Sequence, residues 1–407
     1  MIYIKDKKDC CGCHACTNAC PKRCITMQTD EEGFLYPIVD KINCIDCGLC
    51  EKVCPVMNQN EQSKPLYVYA AKNTDEKIRM QSSSGGIFTM LAEAVINEGG
   101  VVFGARFNKD WDVVHDYTET IEGIAAFRGS KYVQSTIGCT YNQAKKFLQA
   151  DRKVLFSGTP CQIAGLKKYL RRNYSNLLTI DVVCHGVPSP MIWRDYLEYE
   201  RAERTVGKNT VSLSLNEMPV ITGISFRDKT YGWKKFGFKI SYAASKAAEN
   251  SVSKSATIWQ SQEENIFLRV FFSDLCLRKS CYHCPAKSLK AMSDITIADY
   301  WGIDKVNPDF DDDKGTSLVL ISSEKGMLYF SKIKCLKIET SYEDCFYRNK
   351  AIEYSAKENV NSNLFWRYFN SNGFENIQEY IESLLKPTMI EIIKRKFSTM
   401  LRLLKIN

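Results

Sequence analysis

The sequence has no run approaching the roughly 18 uninterrupted apolar residues that a membrane-spanning helix needs. Its first residues, Met1-Ile2-Tyr3-Ile4-Lys5-Asp6, contain no apolar h-region, so no secretory signal is expected and the expected location is cytoplasmic. No GxGxxG follows any predicted strand, which leaves a Rossmann dinucleotide fold without support. Four histidines in 407 residues are too few for a histidine-built metal or acid–base centre. His185 reads as a turn histidine bonded to backbone. A net charge of +8 is modest for this length: it can help dock an acidic redox partner, but it does not argue for nucleic-acid binding. Hydrophobic content of 44% with 25% charged residues argues against disorder, and the length predicts two or three domains.

Cysteine is abundant instead, at 18 residues. Ten of these lie between Cys10 and Cys54 at short, regular gaps, a distribution that suits metal centres rather than disulfide loop closure. The first run is Cys10-x2-Cys13-x2-Cys16-x3-Cys20-Pro21 and the second is Cys44-x2-Cys47-x2-Cys50-x3-Cys54-Pro55. In two-cluster ferredoxins of the bacterial type, the fourth cysteine of each run ligates the other cluster. The expected ligand sets are therefore Cys10, Cys13, Cys16 and Cys54 for one [4Fe–4S] cluster, and Cys20, Cys44, Cys47 and Cys50 for the other. Paired CxxC steps also bind zinc, but zinc needs neither the third cysteine at the same step nor the duplicated CxxxCP ending. Cys11 and Cys24 fall outside the pattern and read as buried small hydrophobes.

The polar stretch Asn58–Pro65 reads as a linker. Beyond it, predicted strands (66–71, 100–105, 154–157, 178–183, 295–298, 317–321) alternate with predicted helices (87–97, 141–150, 163–171, 191–204), the sign of an α/β domain. Ser189 and Pro190 form a helix-start signal. Residues 241–257 read as an exposed loop and Asp309–Asp313 as a solvated turn. The expected fold class is α+β: a ferredoxin domain over 1–60, an α/β domain over 66–340 and a mainly helical tail over 341–407.

Cys161 and Cys184 each follow a strand and precede a helix. If those strands are parallel, both thiols stand at the sheet's carboxyl edge, where ligands of open α/β sheets bind. With Cys281 and Cys284 they could hold a third cluster. Cys139, Cys276, Cys335 and Cys345 read as structural. Ser82-Ser83-Ser84-Gly85-Gly86 precedes a helix with Ile87, Leu91 and Val95 on one face, and exposed N–H groups there could bind phosphate; Ser84 acting only as a cap is the alternative. Lys131 could neutralise a phosphate or a reduced flavin. Arg227, Asp228 and Lys229 could line a substrate pocket or form an exposed charged hairpin.

Residues 66–330 resemble the beta subunit of coenzyme F420-dependent hydrogenases and dehydrogenases, particularly a bacterial branch with an N-terminal ferredoxin. The resemblance is carried by residues 82–86, Gly129–Ser135, Ser157–Gln162, Cys184–Pro190, Phe226–Lys229, and Cys281–Cys284 with Ser293–Asp299. It implies FAD beside an iron–sulfur cluster, with Ser83, Ser84, Gly85, Gly86, Lys131, Tyr132 and Ser135 as candidate flavin contacts, and it supports the third ligand set. The expected function is a ferredoxin-coupled flavin oxidoreductase acting on a small-molecule or coenzyme acceptor. The alternative is a non-catalytic electron-transfer subunit serving a separate catalytic partner. Residues 387–407 place Ile390, Ile393, Phe397, Leu401 and Leu404 on one helical face. Docking against the protein's own body is the favoured use of that face, with contact to an anionic membrane surface as the alternative.

Overall fold

The computed structural model describes residues 1–206, 220–243, 255–374 and 376–385. The expected amphipathic helix over 387–407 lies outside the described residues. The cysteine-rich segment folds as α1 (Ala15–Ala19), the antiparallel pair β1 (Ile25–Thr29) and β2 (Leu35–Val39), and α2 (Leu49–Lys52). Each short helix begins within one cysteine run. Prolines after Cys20 and Cys54 prevent continuation of the helical path.

The body begins with β3 (Tyr67–Lys72), α3 (Glu76–Gln81), α4 (Ile87–Asn97), β4 (Val101–Phe107) and β5 (Val113–Thr118). It continues through α5 (Thr140–Gln149), β6 (Val154–Gly158), α6 (Pro160–Leu170), β7 (Leu177–Val182) and α7 (Pro190–Val206). A separate three-stranded antiparallel sheet follows, made of β8 (Val220–Asp228), β9 (Gly237–Ala243) and β10 (Ser255–Ser261). Then come α8 (Ile266–Phe272), β11 (Ile295–Asp299), α9 (Ile303–Val306), β12 (Ser317–Ile321), α10 (Glu324–Lys332) and β13 (Leu336–Glu339). The tail contributes α11 (Tyr342–Phe346), α12 (Ser362–Asn372) and α13 (Ile377–Leu385).

The main sheet has the order β13-β3-β12-β11-β7-β6-β4-β5. Its centre, β11-β7-β6-β4, is parallel, and antiparallel strands close both sides. Parallel strands covered on both faces read as continuous apolar runs. Accordingly, Val154, Leu155 and Phe156 of β6 are all buried, as are Leu177, Leu178 and Ile180 of β7. Helix α4 buries Ile87, Leu91 and Val95 on the face that their four-residue spacing predicts. The described fold is thus mixed α+β, with an iron–sulfur-type segment ahead of an α/β body.

The expected exposed loop over 241–257 is corrected at both ends. Residues 241–243 pair with 255–257 at the end of the β9–β10 ladder where β9 stops and β10 starts, while 244–254 lie outside the described residues. Polar Ser, Thr and Lys on the half-exposed strands hid the alternation that marks a strand.

Candidate metal centres and functional site

Three concavities are each lined by four of the expected cysteines. Cys10, Cys13, Cys16 and Cys54 line the first, of about 330 Å³. Cys20, Cys44, Cys47 and Cys50 line the second, of about 340 Å³. Cys161, Cys184, Cys281 and Cys284 line the third and largest, of about 710 Å³ counted with the solvent at its mouth. Cys54 of the second run thus lines the first concavity, and Cys20 of the first run lines the second.

These thiols surround space rather than meeting at one point. Among the described residues no group of three or more His, Cys, Asp or Glu side chains stands close enough to hold a single ion. A tetrahedral zinc site brings its sulfurs to within roughly 4 Å of one another, whereas a cuboidal cluster fills a larger cage. The donor sets therefore fit iron–sulfur clusters. Backbone N–H groups also point at several sulfurs: Ile2 donates to Cys50 Sγ at 3.2 Å, Asp46 to Cys44 Sγ at 3.4 Å and Val187 to Cys281 Sγ at 3.4 Å. Burial pushes the thiols of Cys16 and Cys184 up to about 12. Metal binding at these rings must therefore release protons.

The rings differ in exposure. Cys13, Cys16 and Cys54 of the first are buried, while Cys47 of the second is exposed. The extra thiols sit at the walls: Cys24 at the second ring, and Cys11 at both the first and the third. Both are buried, as expected. Spacing alone could not show that Cys11 joins two rings, because the third is assembled from residues more than a hundred positions away.

Strands β6 and β7 are parallel and in register, so Cys161 and Cys184 do stand beyond the sheet's carboxyl edge. Cys161 is held by the start of α6. Pro160 occupies its first turn, and Gln162 Oε1 accepts the Thr159 N–H at 2.9 Å. Gln162 Nε2 donates to Ser135 Oγ at 2.9 Å, and Ser135 meets His115 Nδ1 at 3.0 Å. His115 Nε2 in turn faces the Ser157 carbonyl at 3.0 Å. Ser135 thus belongs to a buried network beneath the third ring. On the far wall, Lys287 Nζ donates to the carbonyls of Cys184 and Ala351, each at 2.6 Å. His185 is not backbone-bonded as expected: its Nε2 pairs with Asp274 Oδ1 at 2.5 Å.

The candidate flavin loops come together. Ser83 Oγ accepts the Ser130 N–H at 2.7 Å, and the two hydroxyls lie 2.9 Å apart. Ser84 Oγ donates to the Thr316 carbonyl, and the Gly85 N–H donates to Ser317 Oγ. Gly85 has no room for a side chain, since a Cβ would lie 2.4 Å from the Ala71 carbonyl oxygen. Ser84 is not the helix cap: α4 starts from Gly86 in the left-handed region without a side-chain cap. Lys131 spends its ammonium on the carbonyls of Ala126, Arg128 and Gly129. Tyr132 packs its ring on Phe271 and its hydroxyl accepts from Arg227 at 3.3 Å.

Arg227 and Lys229 do not form an exposed hairpin. Arg227 is buried against Asp299 at 2.7 Å with its guanidinium 3.7 Å from the Phe236 ring centre. Lys229 donates to the carbonyls of Arg79, Ser84 and Lys314, and burial pushes its ammonium down to about 7. The expected solvated turn at 309–313 is likewise a clamp, because Asp312 forms ion pairs with Arg79 and Lys72. Sequence reading missed these contacts because each of these ion pairs and hydrogen bonds joins residues at least 72 positions apart.

Residues 9–58 match the 4Fe-4S dicluster domain. Residues 68–138 match the N-terminal part, and residues 151–344 the C-terminal part, of the coenzyme F420 hydrogenase/dehydrogenase beta subunit. Among solved structures, a chain of the F420-reducing [NiFe] hydrogenase complex from Methanosarcina barkeri is 17% identical. That alignment covers 79% of this chain and 93% of that one, at a TM-score of 0.43. No curated protein matches. With these three models matched in order along the chain, it belongs to the coenzyme F420 hydrogenase/dehydrogenase beta-subunit family, an oxidoreductase family, and carries an iron–sulfur electron-transfer domain of the 4Fe-4S type at its N-terminal side.

Proposed function

We propose that this chain is an iron–sulfur flavoprotein subunit that moves electrons between a ferredoxin-type donor and a small-molecule or coenzyme acceptor. Its cofactors are three [4Fe–4S] clusters and FAD. The observation that carries this reading is the set of three concavities, each walled by four cysteines. When bound, the clusters supply single-electron relay and the flavin interconverts one- and two-electron chemistry.

The chain's own residues have separable roles. The cysteine rings hold the irons, and the N–H donors of Ile2, Asp46 and Val187 offset negative charge on sulfur. The His115–Ser135–Gln162 network orients Cys161. For FAD, the uncapped start of α4 beside the Ser83 and Ser130 hydroxyls offers a phosphate site. Tyr132 supplies an aromatic wall near the same loop.

Anaerobic purification followed by iron, sulfide, zinc and flavin analysis tests the reading. About twelve irons and one FAD per chain are expected. Eight irons with a zinc, or no flavin, would sink the third cluster or the flavin respectively.

A second reading, electron transfer without chemistry of its own, is favoured by the surface at the second ring. There Ile42 and Ile45 are 94% and 58% exposed next to the exposed Cys47, an apolar face suited to a protein partner. Reduction of a small acceptor by the isolated, loaded chain would decide against it.

A further inference from the structure

Arg278 lies between the first and third rings, and it is fully buried. Its Nε donates to the Cys10 carbonyl at 2.7 Å and one terminal nitrogen donates to Gln134 Oε1 at 3.1 Å. The other terminal nitrogen donates to the Leu35 carbonyl at 2.9 Å and reaches Cys10 Sγ at 3.5 Å. The guanidinium stacks 4.2 Å from the centre of the Tyr36 ring. Its backbone serves the other ring, because the Arg278 carbonyl accepts the Cys281 N–H at 2.8 Å.

The partners take four of the five N–H groups of the fork but leave its charge unbalanced. Carbonyls, an amide and an aromatic face are neutral. Among the described residues no carboxylate forms an ion pair with Arg278; the ionisable groups acting on it include the thiols of Cys10, Cys11 and Cys281 and the Tyr36 phenol. An unpaired buried cation is strongly destabilising. Asp312 and Asp299 neutralise the other buried arginines, Arg79 and Arg227. Arg278 has only sulfur to play that part.

We propose that Arg278 is the counter-ion of the first cysteine ring, a positioning residue that raises the reduction potential of the cluster held there. The proposal rests on the reading of that ring as a cluster site. Reduction adds one electron, and hence one negative charge, to the cage. A permanently charged guanidinium against Cys10 stabilises that extra charge more than it stabilises the oxidised cage, and no proton need accompany the electron. Cys10, bonded through both its carbonyl and its sulfur, fixes the distance.

Dithionite titration of the full-length holoprotein, followed by EPR, tests this with Arg278→Gln and Arg278→Lys. The wave of the second ring is identified by the change that Cys47→Ser makes in it. In R278Q with unchanged iron content, one wave should move to lower potential while the second-ring wave stays in place, and R278K should restore most of the shift. No movement, or an equal movement of all waves, overturns the proposal. Wild-type protein devoid of iron and sulfide would overturn the cluster reading itself, before any variant is made. Should R278Q not assemble, wild-type protein carrying arginine labelled with ¹⁵N only in the guanidino group decides the matter by pulsed EPR. Coupling of that nitrogen to the reduced first-ring cluster supports the role, and its absence removes it.

Discussion

His115 is buried with a carbonyl at one ring nitrogen and a hydroxyl at the other. The Ser157 carbonyl requires a proton on Nε2, and Ser135 can then donate to Nδ1 while accepting from Gln162. This pattern is complete only for neutral imidazole. Burial accordingly pushes His115 from 6.5 down to about 4. Between those values the unfolded chain binds a proton that the folded chain refuses. The stabilisation is thus full above pH 6.5 and is lost as pH falls toward 4. From pH 7 to pH 5 this costs about 2 kcal/mol. His115→Gln should lose that much less stability than wild type over the same interval in anaerobic urea titrations. Identical pH dependence in the two proteins would show that His115 titrates as an ordinary surface histidine. At this scale the cysteines of the first two runs were legible, because their spacing is local. His115, Arg278 and Cys11 were not, because their partners arrive from distant strands and loops.

Helix α6 joins two of the rings mechanically: its first turn holds Cys161, and its middle packs on Cys13. The close approach is made by Gly165, where a Cβ would lie 2.9 Å from both Cβ and Sγ of Cys13. Two effects compete in Gly165→Ala. Alanine favours an isolated helix by about 1 kcal/mol, but the new methyl must displace a cysteine fixed in the first ring. Overpacking of this kind costs about 1–3 kcal/mol, so packing should win. The expected result is a loss of up to about four irons per chain with the third ring still loaded. Full iron content together with a raised melting temperature would show that propensity prevails. The sequence placed α6 within three residues, starting it at 163 where the helix starts at Pro160. The parallel strands were legible as apolar runs, whereas the β8–β10 sheet was obscured by its polar outward face.

Docking of the cysteine-rich segment on the body is a property of the whole molecule, and spacing and periodicity carry no trace of it. Asn58–Pro65 read as a linker. Yet Asn60 bonds the Lys290 carbonyl and Lys168, and the Ser63 N–H donates to the Ser288 carbonyl. The larger contact lies elsewhere. Ser189 Oγ, which caps α7, donates to the Glu32 carbonyl, and Asn18 donates to the Gly138 carbonyl. Arg278 adds its bonds to Cys10 and Leu35. These attachments come from opposite ends of the segment, so cutting the tether between Glu61 and Gln62, both exposed, should not free it. A protease site inserted there should yield two fragments that co-elute in anaerobic gel filtration and keep the iron of all three rings. Separation of the fragments would instead mean that the linker holds the segment in place. The first and third rings would then be neighbours only while the chain is intact, and Arg278 could not serve as a fixed counter-ion between them.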